Sequence, residues 1–154
     1  MKRWVLALLG VVGLGLSHAV VAAVAHAEPL ATVTVKISGF KGTEGQALIT
    51  LYDSEQSWLK VPKAVQVVRA KITGAGMTVE LKDVKPGTYA VAVVHDENKN
   101  NELDMRWLPY PKPKEGLGIS NDPENKAGPP KWEGARFEVS ASGATVKATI
   151  KYVE

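Results

Sequence analysis

The fold class is decided by residues 81–95, which read LKDVKPGTYAVAVVH. Pro86-Gly87 suits a type II turn, because proline fixes φ at the first central position and glycine accepts a positive φ at the second. From Tyr89 to Val94 every position is apolar, which predicts a strand buried on both faces in the middle of a packed sandwich. Tyr89 itself is either an ordinary core residue or a tyrosine corner, whose hydroxyl bonds back across the end of the sandwich.

Alternating apolar and polar residues dominate the chain beyond residue 28, with the period of two that is typical of strands. The predicted strands are Thr32–Ser38, Ala47–Tyr52, Val65–Ile72, Met77–Leu81, Tyr89–His95, Ala135–Val139 and Ala144–Val153. About seven strands and no amphipathic helix of useful length predict an all-β protein, an immunoglobulin-like or transthyretin-like sandwich with one long loop before the last two strands. The predicted core includes Val35, Leu51, Val79, Tyr89, Val91, Val93, Phe137 and Ile150.

The first 27 residues have the pattern of a cleavable secretory signal peptide. Met1-Lys2-Arg3 is basic, Trp4–Leu16 carries no charge, and Ala25-His26-Ala27 offers the small residues that a signal peptidase requires. We therefore predict cleavage before Glu28 and a mature protein that is periplasmic, in a Gram-negative bacterium, or secreted. The alternative is an uncleaved membrane anchor, since Trp4–Ala25 is just long enough to span a bilayer.

Composition limits the possible classes of function. Removal of 27 of the 154 residues leaves 127, the size of one domain, so the predicted division is a signal peptide at 1–27 and a single domain at 28–154. Removal also takes Lys2 and Arg3, which leaves 17 basic against 16 acidic side chains and no clustered basic stripe for nucleic acid. The absence of cysteine excludes disulfides, thiol catalysis, thiolate metal sites and a lipoprotein anchor.

The stretch Asp96–Gly134 is predicted to be a long connection, because it has few apolar pairs and six prolines. Its aromatic residues Trp107, Tyr110 and Trp132 argue against plain disorder. We interpret them as inward anchors that pack the connection against the sandwich. The alternative is an exposed aromatic platform for a sugar or peptide ligand.

Oxygen-bearing side chains recur at every second residue after the central strand, at Asp96, Asn98, Asn100, Glu102 and Asp104. As positions 1, 3, 5, 7 and 9 of a calcium loop they would surround one hard cation, with the backbone carbonyl of Glu102 as the ligand at position 7. Position 12 is Trp107 and not the glutamate of an EF-hand, so Glu115 or Asp122 is the candidate substitute. The sequence leaves two interpretations open, a calcium-stabilised loop and a polar Asx-rich turn.

His95 ends the apolar strand and is the only histidine of the mature chain. A general base needs a partner within hydrogen-bond reach, and folding of the connection could bring Ser120 there. Because no nucleophile motif is present, we predict that the protein is not an enzyme, that no residue is catalytic, and that His95 caps the strand by bonding to the loop backbone. A hydrolase-like site at His95 and the long connection is the alternative.

Four motifs follow one another along the mature chain, Pro86–Tyr89, His95–Asp104, Lys114–Asn121 and Gly128–Trp132. In this order they resemble the bacterial exported proteins of domain of unknown function 2141, over essentially the whole mature chain. The resemblance implies a secreted or periplasmic sandwich of the prealbumin-like kind and no named activity. Where this family typically has glycine in its Asp-x-Asn-x-Asn loop, the chain has Asn101, a residue type that also tolerates the left-handed conformation.

These patterns together predict an exported binding or structural module of the cell envelope. The expected partner is an envelope protein, a glycan or a peptide, and calcium is the candidate cofactor. No stable membrane insertion is expected after processing.

Overall fold

The computed structural model describes residues 29–124 and 128–153, so the predicted signal peptide and its cleavage site lie outside the described residues. The described chain is all-β, as predicted. Its ten strands are β1 (Ala31–Ser38), β2 (Gln46–Tyr52), β3 (Gln66–Ala70), β4 (Gly76–Val84), β5 (Gly87–Asp96), β6 (Met105–Arg106), β7 (Lys112–Pro113), β8 (Gly116–Ile119), β9 (Phe137–Val139) and β10 (Ala144–Thr149). The helices in this part of the chain are a 3-10 turn at Val61–Lys63 and α1 at Trp132–Ala135, and no described helix is long and apolar enough to cross a membrane.

Two larger sheets make up the body of the fold. The first has the order β10-β1-β4, with β1 parallel to β10 and antiparallel to β4. The second has the order β3-β2-β5-β8 with antiparallel neighbours, and β9 pairs with the first residues of β5. β6 and β7 form a separate hairpin. Because residues of both larger sheets enter one common core, the architecture is sandwich-like.

The alternation in β1 explains why it is buried on one face. Val33, Val35 and Ile37 are buried, whereas Lys36 between them is exposed. Side chains at every second residue of a strand share a face, so the apolar set of β1 points into the core. The register places Val35 beside Val79 of β4, which extends the apolar row across the sheet.

The central strand β5 is buried on both faces, as the continuous apolar run predicted. On its inner face Val91 pairs with Leu51 of β2, and Val93 pairs with Ile49. The core contains every predicted member: Val35, Leu51, Val79, Tyr89, Val91, Val93 and Ile150 are buried, and the half-buried Phe137 packs against them.

A second apolar cluster covers the outer face of β2 and β5. It consists of Tyr52, Trp58, Ala90, Ala92, Ile119 and Ala135, with Trp132 packed against them. The indole N–H of Trp58 donates to the carbonyl oxygen of Pro130 at 2.8 Å, and the Trp58 and Trp132 rings meet edge to face at 5.8 Å. Parts of the stretch 96–134 therefore form an additional layer on the second sheet.

The structure corrects the prediction of one long loop before the last two strands, because that stretch contains β6, β7, β8 and α1. In the sequence, Gly116 and Gly118 look like turn residues, but they lie in β8, paired with β5. A Cβ atom at Gly116 would lie 2.5 Å from Ile150 and from the ring of Tyr152. Glycine is needed here for the close approach of two segments, and a single sequence does not distinguish that use from a turn.

Candidate functional site

The residues Asp96–Asp104 form a tight turn after β5, called the acidic loop below. Asp96 is completely buried. Its Oδ1 accepts a hydrogen bond from the backbone N–H of Asn100 at 3.1 Å, and its Oδ2 accepts from the backbone N–H of Asn101 at 2.9 Å. Oδ2 also accepts from the side-chain amide of Gln46 at 2.7 Å. Asp96 therefore fixes the backbone of the acidic loop and ties it to β2.

Two asparagine side chains of the acidic loop converge on Asp104. The side-chain amides of Asn98 and Asn100 donate to its two carboxylate oxygens, each at 3.0 Å. The amide oxygens of the same two asparagines accept backbone N–H groups, from Asn100 at 3.0 Å and from Glu102 at 2.9 Å. The side chain of Glu102 is exposed. The structure thus brings together Asp96, Asn98, Asn100 and Asp104 in one hydrogen-bonded loop.

Glu115 closes the base of the acidic loop. The register between β5 and β8 pairs His95 with Gly116, so the buried Glu115, one residue before Gly116, lies near the start of the acidic loop. Its carboxylate accepts the backbone N–H of Glu97 at 3.0 Å and that of Asp104 at 3.1 Å. Burial raises the pKa of the Glu115 carboxyl; the two backbone hydrogen bonds oppose this rise, and the negative charges of Asp104 and Asp96 add to it.

Of the two predicted substitutes for the twelfth-position carboxylate, the structure brings Glu115 to the acidic loop and leaves Asp122 elsewhere. The carboxylate of Asp122 accepts the backbone N–H of Thr149 at 2.6 Å and the hydroxyl of Thr149 at 2.8 Å. Within residues 29–124 and 128–153, no group of three or more Asp, Glu or His side chains is arranged to hold a metal ion. A cation in the acidic loop would therefore need the asparagine oxygens as well as the carboxylates, ligands that suit calcium.

Asn101 adopts the left-handed backbone conformation, with φ of +66°, that glycine usually supplies at this point of a calcium loop. Its side-chain oxygen accepts from the amide of Gln46 at 3.2 Å and from the guanidinium of Arg69. Asn101 therefore makes the turn and also anchors the acidic loop to β2 and β3. The sequence indicated that asparagine tolerates this conformation, but it gave no signal for the contacts with Gln46 and Arg69, which come from distant strands.

His95 is buried at the end of β5, with both ring nitrogens engaged. Nε2 lies 2.9 Å from the carbonyl oxygen of Glu44, and Nδ1 lies 2.7 Å from the hydroxyl of Tyr152. Because a carbonyl oxygen can only accept, the contact with Glu44 requires a proton on Nε2; in the tautomer that carries its single proton there, Nδ1 accepts from the hydroxyl of Tyr152. His95 thus bonds to backbone, as predicted, but in the turn before β2 rather than in the long connection.

Ser120 does not meet His95. Its hydroxyl donates to the carbonyl oxygen of Ala135 at 2.6 Å and accepts the backbone N–H of Val91 at 3.0 Å. Val91 is four residues from His95 along an extended strand, about 13 Å at 3.3 Å per residue. The pair considered for a hydrolase is therefore not assembled.

The hairpin β6–β7 presents large apolar side chains to solvent at its tip, defined as Trp107–Tyr110. The exposed fraction is 69% for Trp107, 81% for Leu108 and 61% for Tyr110, the highest among the large apolar residues that the structure describes. The prediction of inward anchors was wrong for Trp107 and Tyr110. It was right for Trp132, which packs on Trp58.

The base of the hairpin is joined to the acidic loop. Met105 pairs with Pro113, and Arg106 pairs with Lys112. Directly below them, the backbone N–H of Lys114 donates to the carbonyl oxygen of Asp104 at 2.9 Å. The carboxylate that fixes the N–H of Asp104 is Glu115, the residue just before β8. The tip is therefore carried on a short hairpin whose base is fastened to the second sheet.

A comparison with protein families now identifies the chain. The family described as an uncharacterized protein conserved in bacteria, DUF2141, matches residues 35–147. The chain belongs to this family. The resemblance drawn from its four motifs is confirmed, and the matched range of this DUF2141 domain includes the acidic loop, the hairpin and Glu115. No curated protein and no solved structure matches the chain.

Proposed function

We propose that this DUF2141 protein is an exported binding module of the cell envelope, with the hairpin tip Trp107–Tyr110 as its contact surface. The exposure of Trp107, Leu108 and Tyr110 is the observation that carries the proposal. Soluble proteins seldom leave several large apolar side chains exposed side by side, and such patches mark sites of interaction. Export is inferred from the signal-peptide pattern of the first 27 residues.

The way in which the tip is held supports a binding role. Three carboxylates accept hydrogen bonds that hold the acidic loop or the hairpin base, those of Asp96, Asp104 and Glu115. A surface that is already ordered loses less conformational entropy when it meets its partner, which raises affinity. The acidic loop serves, in this proposal, as the support on which the tip is presented.

We propose in addition that calcium binds the acidic loop and strengthens this support. Asp96, Asp104 and Glu115 share one hydrogen-bond network with two asparagine side chains, whose oxygens would complete the ligand set, and Asn101 provides the left-handed turn. In the ion-bound state the asparagine oxygens and Asp104 would share the cation, and the amide contacts to Asp104 would be replaced. Affinity in the roughly 0.1–1 mM range of extracellular modules is expected, because the twelfth-position glutamate is absent from its usual place.

For the fold we propose the immunoglobulin-like class of sandwich. Several connections run from one sheet to the other, as they do in Greek-key sandwiches. They join β1 to β2, β3 to β4, β4 to β5 and β9 to β10. An experimental structure in which β1 lies in the same sheet as β2 would contradict this assignment.

Site-specific photo-crosslinking in living bacteria tests the binding role. A photo-reactive phenylalanine analogue is placed at Trp107 or at Tyr110, and as matched controls at Val65 and Leu30, which are also exposed. We expect discrete adducts from positions 107 and 110 and none from positions 65 and 30. Adducts from the two control positions alone would refute the tip as the contact surface.

A further inference from the structure

An open cleft of about 510 Å³ lies beside the acidic loop. Its walls are the turn that leads into β2, the end of β3 and the acidic loop itself. The lining residues are Thr43, Glu44, Gly45, Gln46, Arg69, Ala70, Lys71 and Lys99. The cleft has the size of a small-ligand site, and Ala70 is the one apolar side chain among the described residues that line it. It is separate from the hairpin tip.

Arg69 is held in place at this cleft. Its Nε donates to the side-chain oxygen of Asn101, which also accepts from the amide of Gln46 at 3.2 Å. Because this oxygen belongs to a neutral amide, the bond orients the guanidinium without neutralising its charge. Within residues 29–124 and 128–153 the two terminal nitrogens of Arg69 make no hydrogen bond. An arginine fork matches the two oxygens of a carboxylate, and a fork that is already held loses less entropy on binding.

Lys71 and Lys99 supply two further cations to the same cleft. Both are exposed, and Lys99 has a left-handed backbone with φ of +61°, which is uncommon for a lysine. In the described part of the chain the ion pairs all involve Glu97, which lies outside the cleft lining. The positive charges of the cleft are therefore not taken up by ion pairs among these residues.

Two carboxylates offset part of this positive charge. Glu44 lines the cleft, and the buried carboxylate of Asp96 lies behind Gln46, whose amide it accepts at 2.7 Å. Three cations against two carboxylates leave a surplus of one positive charge. This surplus suits a ligand with a single negative charge and not a polyanion. Selectivity would come from the held guanidinium of Arg69 and from the groups around it.

The groups around Arg69 are suited to hydroxyl groups. The carboxylate of Glu44 and the hydroxyl of Thr43 have no side-chain hydrogen bond within the described residues, so both are available to a ligand. An apolar ligand finds little matching surface, since Ala70 alone is apolar. We propose that the cleft binds a carboxylate-bearing sugar of the uronic-acid class, with its carboxylate on Arg69 and its hydroxyl groups on Glu44 and Thr43. This second site goes beyond the proposed function of the tip.

NMR titrations test the inference, on protein whose N-terminus has been verified as Glu28. The probes are glucuronate, acetate as a carboxylate without a sugar, glucose as a sugar without a charge, and glucose 6-phosphate. At about pH 5 the phosphate carries one charge, as glucuronate does. We expect glucuronate to bind with a Kd on the order of 1 mM and to shift the Nε–H signal of Arg69. Acetate should bind about fivefold more weakly, since it lacks the hydroxyl contacts, and glucose should cause no shift.

Variants separate the roles of the lining residues. Arg69→Gln should weaken glucuronate binding by at least about tenfold, because one hydrogen bond to a charged group accounts for that factor. Arg69→Lys keeps the charge but lacks the fork, so it should also weaken binding. Asn101→Gly keeps the left-handed turn and releases the guanidinium, which should weaken binding by about two- to tenfold. The matched control Lys36→Gln removes an exposed positive charge from β1 and should leave binding unchanged.

Glu44→Gln tests recognition of the sugar. Repulsion between Glu44 and a carboxylate affects glucuronate and acetate alike, whereas the hydroxyl contacts are made by glucuronate alone. The preference for glucuronate over acetate should therefore fall in this variant. Thermal melting of each variant verifies that it is folded, and Arg69→Lys, which keeps the charge of the wild type, replaces Arg69→Gln if the latter does not fold.

Several results would overturn the inference. One is the absence of any shift at glucuronate concentrations about ten times the expected Kd. Another is equal weakening in Lys36→Gln and Arg69→Gln, which would indicate unspecific attraction. Tighter binding of glucose 6-phosphate than of glucuronate would assign the cleft to phosphate, and an unchanged preference in Glu44→Gln would remove the sugar. Because the tip does not line the cleft, each of these failures leaves the proposed contact surface untouched.

Discussion

Asp96→Asn removes one charge and one acceptor from the acidic loop while keeping the shape of the side chain. In the wild type the two carboxylate oxygens accept three hydrogen bonds, two from the backbone of the loop and one from Gln46. An asparagine offers one acceptor oxygen, and its NH2 group would face the donors that the other oxygen now serves. The substitution therefore tests whether buried Asp96 holds the loop together.

The size of the effect follows from these contacts. A hydrogen bond to a charged group contributes about 1.5–3 kcal/mol, and contacts that share one acceptor are not additive. We expect Asp96→Asn to lower the free energy of unfolding by about 2–4 kcal/mol. For a domain of this size about 4 °C of melting temperature corresponds to 1 kcal/mol, so Tm should fall by about 8–16 °C.

The assay is thermal denaturation followed by circular dichroism, with a chelator present so that no cation contributes. Asp83→Asn is the matched control, because Asp83 is exposed and its left-handed backbone, φ of +58°, suits asparagine equally well. The control should stay within about 0.5 kcal/mol of wild type. Hydrogen exchange should also show faster exchange at the backbone amides of Asn100 and Asn101. If Asp96→Asn has the same melting temperature as the control variant Asp83→Asn, Asp96 does not hold the acidic loop together.

Four further predictions concern the core, the buried glutamate, calcium and processing. Val93→Ala should cost about 1–3 kcal/mol in chemical denaturation, because Val93 is completely buried, whereas exposed Val65→Ala should change little; equal effects would contradict the assigned core. Because the pKa of Glu115 is raised above its ordinary 4.5, its contribution to stability is complete below that value and is lost as the pH rises through the raised pKa. Glu115→Gln has no ionisable group at this position, so the stability advantage of wild type over the variant should shrink from acid to neutral pH. An advantage that grows with pH would contradict the raised pKa of Glu115. Millimolar calcium should raise the Tm of wild type, and Asp96→Ala with Asp104→Ala should abolish this rise. If calorimetry shows no binding of calcium to wild type, the proposed calcium site is wrong. Intact mass should show Glu28 as the first residue of protein from the envelope, and a chain retaining Met1–Ala27 would reject cleavage.

The sequence predicted the parts of the fold in which burial leaves a periodic pattern. In β1 the alternation of Val33, Val35 and Ile37 with polar residues is a direct consequence of one buried face. β8 leaves no such pattern, because two of its four positions are glycine, and at Gly116 any side chain would collide with Ile150 and Tyr152. Strand prediction fails where contacts between distant segments select residues that lack a strand preference.

The sequence likewise predicted one part of the candidate site and not the rest. The oxygen spacing of the acidic loop is local, and the structure shows those side chains in one hydrogen-bonded turn. The position of Glu115 depends on the register between β5 and β8, which the sequence does not specify, so Glu115 and Asp122 were equal candidates. Exposure of Trp107 and Tyr110 was not predictable, because large aromatic residues are buried on average and the space over the second sheet is taken by Trp58 and Trp132.

The central claim, that the hairpin tip is the contact surface, is tested most directly by hydroxyl-radical footprinting of the protein alone and with intact envelope membranes. The account predicts that oxidation of Trp107, Leu108 and Tyr110 falls when membranes are present, while oxidation of Leu30 and Val65, which are also exposed, stays unchanged. Protection at Leu30 or Val65 with the tip still fully oxidised would contradict it.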